Sequence, residues 1–253
     1  NMFLCPILSG ISIFFDEEIS NDTYLKYWNR IVQSKIDIAY LSPTMAQALI
    51  AYSQYGKISK KNKRTVKIIS TGSYLYKSTT NKFKKIFGID LINCYGVTEI
   101  GGSISLEQKS FKDNKSVGKM CSGISVKITK NKEIFIKSNS MFQGYLEDKK
   151  SFKKFSSKYF NTGDLGELRN GRLFVYGRTK EIIKKGGEQV SLIKIEDIAL
   201  GHKDVKEAIA RGVASEFWGE EVELNVVFVK DKKQADTTVH KIENLKKYLL
   251  QKL

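Results

Sequence analysis

The feature that most constrains this chain is a strict alternation of short apolar runs with amphipathic ones over its first hundred residues. Ile36 to Leu41 reads as a buried strand. Ser42-Pro43 then opens a helix, Ser42 as its cap and Pro43 in its first turn, running to about Tyr55. Val66 to Ser70 is a second strand, Lys77 to Phe87 a helix and Ile89 to Cys94 a third strand. Upstream, the apolar run Ile11 to Phe15 precedes a helix over Asn21 to Ser34, with Tyr24, Leu25, Trp28, Ile31 and Val32 on one side. Strand and helix in turn predict an α/β fold whose parallel sheet is covered by helices.

After Gly101-Gly102 the pattern changes. Val126 to Thr129, Glu133 to Lys137 and Leu173 to Tyr176 are short strands between polar turns, the mark of a small antiparallel sheet or barrel. From Arg178 onward it changes again. Ile193 to Leu200 is helical, Ala208 to Val213 and Leu224 to Val229 are extended, and Val239 to Leu250 is helical, a smaller α+β C-terminal domain. The expected division is 1–178 and 179–253.

Composition narrows the classes. The 253 residues carry 43 Lys plus Arg against 27 Asp plus Glu, a formal charge of +16. The lysines are spread along the chain and not gathered into one basic arm, so a nucleic-acid partner is not expected; a basic surface still attracts anionic ligands such as nucleotides. With 41% hydrophobic residues the chain is globular. No apolar run of about 18 residues could span a membrane. Cys5, Cys94 and Cys121 form neither a disulfide framework nor a metal pair, which points to the reducing cytoplasm. His202 and His240 are too far apart in sequence to suggest a shared metal.

Three stretches carry chemistry. The first is Asn93-Cys94-Tyr95-Gly96-Val97-Thr98-Glu99. It follows a predicted strand, so it projects from the carboxyl end of the sheet, where open α/β sheets bind ligands. A ring such as Tyr95 can stack on a base. Gly96 lets a backbone come close to a ligand, Thr98 can bond a phosphate, and Glu99 can hold a hard cation such as magnesium. The second is Asn161-Thr162-Gly163-Asp164-Leu165-Gly166. A carboxylate in a glycine-flanked turn can accept from two hydroxyls at once, which suits a ribose diol. The third runs from Gly177-Arg178-Thr179-Lys180 through Lys185-Gly186-Gly187-Glu188 to Ser191, where the pattern changes, and so includes the inter-domain joint.

In this order the three stretches resemble the acyl-adenylate-forming enzymes: acyl- and aryl-CoA ligases, luciferases and the adenylation domains of peptide synthetases. Weaker parallels fill the gaps between them: Ser70-Thr71-Gly72-Ser73, Ser116-Val117-Gly118-Lys119, Glu133 to Lys137 with Gly144-Tyr145, and Phe217-Trp218-Gly219-Glu220. The resemblance implies ATP as substrate, AMP as product, magnesium, and a thiol acceptor, coenzyme A or the pantetheine of a carrier protein. It implies that Tyr95 stacks on adenine, with Gly72 and Ser73 opposite and Asn93 in the same cofactor-binding set. Thr98 meets the α-phosphate, Glu99 ligates magnesium, and Asp164 and Arg178 hold the ribose. Lys180 sits at the hinge, and Gly186 and Gly187 line the path of the thiol. Catalytic roles fall to Thr98, Glu99 and Lys180.

The departures matter as much. The Ser/Thr/Gly-rich phosphate loop of those enzymes has no counterpart in these residues; Pro6-Ile7-Leu8-Ser9-Gly10 resembles the segment that follows it. Lys246, Lys247 and Lys252 lack the glycine neighbour of the family's C-terminal catalytic lysine. The expectation is a partial ligase, part of a longer enzyme or a truncated product. It would keep an AMP pocket, adenylate poorly by itself, and expose a sheet edge through which copies could associate. The joint string Lys184-Lys185-Gly186-Gly187-Glu188-Gln189-Val190-Ser191 resembles the CoA-ligase branch more than carrier-protein-loading domains. A non-catalytic AMP-binding or partner-binding remnant is the competing class.

Overall fold

The structure is a computed structural model that describes residues 4–16, 21–53, 66–107, 116–146, 151–229 and 238–253. The described chain divides into two compact units: 1–162 with 166–175, and 163–165 with 176–253.

In the first unit, helix α1 (Leu4–Leu8) comes first, the apolar run Ile11 to Phe15 is irregular, and α2 (Asn21–Gln33) follows. Strand β1 (Ile38–Leu41), α3 (Pro43–Tyr52), β2 (Lys67–Ser70), α4 (Lys77–Phe87) and β3 (Leu91–Val97) then alternate. β1 pairs with β2 and β2 with β3, both in parallel. The alternation follows from local chemistry. Ser42 Oγ accepts from Met45 N–H at 3.1 Å, with Pro43 beside it in the first turn, so α3 starts as its sequence predicts. Its expected end near Tyr55 lies outside the described residues. At the end of α4, Gly88 takes the left-handed conformation and its N–H reaches Lys84 C=O at 2.8 Å.

The core of this part is aromatic and aliphatic. Phe83 is fully buried, its ring 4.6 Å from Phe87, and Trp28 of α2 leans on both. Tyr24 and Trp28 of α2 pack on this core as predicted; Leu25 is exposed instead, and Tyr27 is buried with the predicted Ile31. These two are one helical turn apart on the buried face, which Leu25, two residues before Tyr27, does not share.

β4 (Gly102–Leu106) folds back antiparallel on β3, and β5 (Ser116–Met120) on β4. β6 (Ile124–Ile128) and β7 (Glu133–Ser138) form a hairpin. Short β8 (Gly144–Leu146) and β9 (Phe152–Lys154) pair separately, followed by β10 (Phe160–Arg169) and β11 (Arg172–Arg178). The sheet order is β1-β2-β3-β4-β5-β11-β10-β7-β6. The antiparallel strands thus continue the parallel sheet through β3 and β4. Ile134 and Ile136 alternate inward along β7, meeting Ile104, Leu173 and Val175 in a second core cluster. A buried Glu107 pairs with Arg172 and accepts from Ser116 Oγ at 2.7 Å, so the charge has two partners.

The second unit holds β12 (Ile182–Lys185), β13 (Glu188–Ser191), α5 (Leu192–Leu200), β14 (Val205–Ser215), β15 (Gly219–Phe228) and α6 (Thr238–Lys252). Its sheet runs β13-β12-β15-β14. Ser191 caps α5, and buried Glu196 on that helix accepts from Ala210 N–H at 2.8 Å. The His202 ring meets Tyr248 of α6 edge-on at 5.0 Å. Among the described residues no helix is long and apolar enough to cross a membrane.

Candidate functional site

β3 extends three residues past the predicted end, so Asn93, Tyr95 and Gly96 lie inside the strand and only Thr98 and Glu99 follow it, in a 3-10 turn over Thr98–Ile100. The Tyr95 ring is partly buried against the cluster around Ile104. Asn93 donates to Ser116 C=O at 3.4 Å. Gly96 differs from expectation in a specific way. A Cβ there would lie 2.3 Å from Gly102 O. The close approach expected of a ligand is made by the neighbouring strand.

Gly72 and Ser73 form an exposed bend beyond β2, Gly72 with φ +101. Ser70 is in register with Asn93, so the bend starts level with Tyr95 on the adjacent strand. Both segments leave the same end of the parallel sheet. Thr98 is exposed and Glu99 half-buried on that turn. Glu99 Oε1 accepts from the Tyr145 phenol at 2.8 Å. Burial and this hydrogen bond push the Tyr145 hydroxyl pKa up.

Magnesium is implied at Glu99 by the sequence resemblance, and the donor set fits it. Among the described residues no three His, Cys, Asp or Glu gather to form a cage. Magnesium commonly takes one or two carboxylates and completes its shell with phosphates and water. One half-buried carboxylate on an exposed turn suits that pattern.

Asp164 lies within β10, in the stretch 163–165 that groups with the second unit, and not in the turn the sequence suggested. Its flanking glycines Gly163 and Gly166 are strand residues. The carboxylate is almost wholly buried, its side chain 6% exposed, and Oδ1 lies 3.3 Å from Arg178 Nε, whose side chain is 67% exposed. The neighbouring strands β10 and β11 thus bring an acceptor and a donor side by side. Thr179 Oγ1 donates to Gly163 C=O at 3.1 Å, and Arg178 N–H donates to Glu181 at 3.0 Å. These bonds fix the chain leaving β11. Lys180 is exposed on the following 3-10 turn.

Gly186 and Gly187 make the turn between β12 and β13, a hairpin that the sequence reading took as part of the joint. Gly186 N–H donates to Trp218 C=O at 2.9 Å, and a Cβ there would press on the Trp218 ring at 2.9 Å. Lys185 Nζ sits 5.8 Å from the centre of that ring. Sequence reasoning missed the tie between Tyr145 and Glu99. Gly144-Tyr145 stood out only by resemblance, and no spacing signal links residues 46 positions apart.

The chain belongs to the AMP-binding enzyme family, whose model matches residues 1–146. It is 30% identical over 198 residues to an oxalate–CoA ligase of Saccharomyces cerevisiae, covering 72% of this chain and 36% of that protein. It is 25% identical over 263 residues to a peroxisomal trans-cinnamate:CoA ligase of Petunia hybrida, covering 92% and 46%. An anthranilate CoA ligase in complex with anthranoyl-AMP superposes with a TM-score of 0.80 at 20% identity, over 99% of this chain and 49% of its own. The chain therefore spans between about a third and a half of the length of these relatives.

Proposed function

We propose that this chain is the adenosine-holding part of an ATP-dependent carboxylic acid–CoA ligase. In that reaction a carboxylate attacks the α-phosphate of ATP, the bond to pyrophosphate breaks, and a thiol then displaces AMP from the acyl group. The observation that carries the reading is the buried Asp164 carboxylate beside the exposed Arg178 guanidinium. An acid held almost out of water and an Arg at its edge form an acceptor–donor pair matched to a vicinal diol. Family membership and the CoA ligases among its relatives support the same reading.

The sequence resemblance assigns the other residues their roles. Tyr95 offers a ring face to adenine, with Gly72, Ser73 and Asn93 around it. Thr98 donates to the α-phosphate. Glu99 would hold magnesium, which when bound neutralises phosphate charge. Lys180 serves as hinge, and Gly186 and Gly187 leave a backbone surface for the thiol arm. The joint string Lys184 to Ser191, which resembles the CoA-ligase branch, favours coenzyme A over a carrier protein as acceptor.

Calorimetry with AMP on the 253-residue chain tests the proposal. Hydrogen bonds to a charged group are worth about 1.5–3 kcal/mol, so Asp164→Ala weakens AMP by on the order of 10- to 100-fold. Equal affinity in wild type and variant refutes a nucleotide site at Asp164. AMP binding without pyrophosphate exchange in the full-length enzyme would favour a binding remnant instead.

A further inference from the structure

The 3-10 turn that carries Glu99 is held by one segment, the stretch after β7. Ser140 Oγ donates to Ile100 C=O at 2.8 Å, Phe142 N–H donates to Glu99 C=O at 2.8 Å, and the Tyr145 phenol donates to Glu99 Oε1 at 2.8 Å. Two of these bonds fix the backbone of the turn and the third fixes the side chain. The phenol is itself well placed. Its ring meets Phe142 edge-on at 4.8 Å, and Phe142 in turn packs on Phe155 and Phe160 at 5.2 and 5.7 Å. The antiparallel pairing of Gly144–Leu146 with Phe152–Lys154 closes the segment on itself. A half-exposed tyrosine could leave its hydroxyl to water. Here a ring cluster and a two-stranded ribbon aim it at one carboxylate oxygen.

This geometry matters because a glutamate on an exposed turn samples several rotamers, and ordering it around a cation costs side-chain entropy. A hydrogen-bonded partner behind a ligating group removes part of that cost, and losing such partners typically lowers metal affinity about 10- to 100-fold. We propose that Tyr145 is a positioning residue for the metal–nucleotide complex: its phenol holds Oε1 of Glu99 so that the carboxylate is already oriented when the cation arrives. The inference rests on the reading of Glu99 as the magnesium ligand. Phosphates would supply much of the cation's shell, so the effect expected is smaller than for an all-protein site, about three- to ten-fold.

The test uses Mn²⁺–ATP as a paramagnetic probe on the 253-residue chain, with affinity read from water-proton relaxation. Tyr145→Phe keeps the ring against Phe142 and removes only the hydroxyl. It should weaken Mn²⁺–ATP about three- to ten-fold while AMP without metal changes less than about two-fold by calorimetry. In a Glu99→Gln background the same change should have no further effect. If Glu99→Gln itself leaves Mn²⁺–ATP affinity unchanged, or if the wild-type chain does not bind the probe, the metal-site reading falls and the inference with it. If Glu99→Gln weakens the probe but Tyr145→Phe leaves it unchanged or tighter, only the positioning role is overturned. Equal loss of metal-free AMP in Tyr145→Phe would also overturn it, because a general structural defect would then explain the change.

Discussion

Replacing Gly96 by alanine should damage the sheet at the point where it turns from parallel to antiparallel. The new methyl would lie 2.3 Å from Gly102 O, 2.9 Å from Gly102 C and 3.1 Å from Ser103 Cα. All three are backbone atoms of β4, so no side chain can swing away. Ordinary non-bonded carbon contacts are near 3.5 Å, so β3 and β4 must part by about 1 Å. Such a shift stretches ladder hydrogen bonds past their useful range. Overpacking costs about 1–3 kcal/mol and each weakened bond about 0.5–1.5 kcal/mol. Alanine returns about 0.5–1 kcal/mol over glycine within a strand. The net cost is about 2–3 kcal/mol, a fall in melting temperature of about 4–12 °C for a chain of this size. Thermal melting followed by far-ultraviolet circular dichroism reads it. Thr98 and Glu99 follow two residues later, so AMP affinity should fall in the same variant at a temperature where it remains folded. Melting indistinguishable from wild type would refute the packing argument and return Gly96 to the role of ligand-facing glycine.

Phe83→Ala empties a fully buried site between Trp28 and Phe87 and should cost about 3–5 kcal/mol, readable in urea unfolding. Ser42→Ala removes the accepted N–H bond at the start of α3 and should cost about 1 kcal/mol, lowering melting by about 2–4 °C. Burial, with the nearby Cys94 as a smaller cause, pushes the Cys121 thiol pKa up. Its alkylation by iodoacetamide, followed by peptide mass spectrometry, should therefore be slower than in the unfolded chain and keep accelerating above the pH at which an ordinary thiol has levelled off.

The sequence alone specified the elements whose signals are local. α4 spans Lys77–Phe87 as read, because Phe83 and Phe87 share one face and Gly88 ends the helix. Ser42 and Pro43 marked the start of α3 for the same kind of reason. The order of the motifs carried the family. Only the tertiary structure decided which distant strands pair. Asp164 read as a turn residue because glycines flank it, yet β10 extends between β7 and β11 and gains ladder hydrogen bonds that outweigh the local preference of glycine. Gly186 and Gly187 turned out to close a hairpin, since their neighbours Lys185 and Glu188 pair across it. The partnership of Glu99 with Tyr145 exists because folding brings remote residues within hydrogen-bond reach. Such contacts leave no periodic trace along a single chain, since what selects them is burial of charge and ring packing in three dimensions.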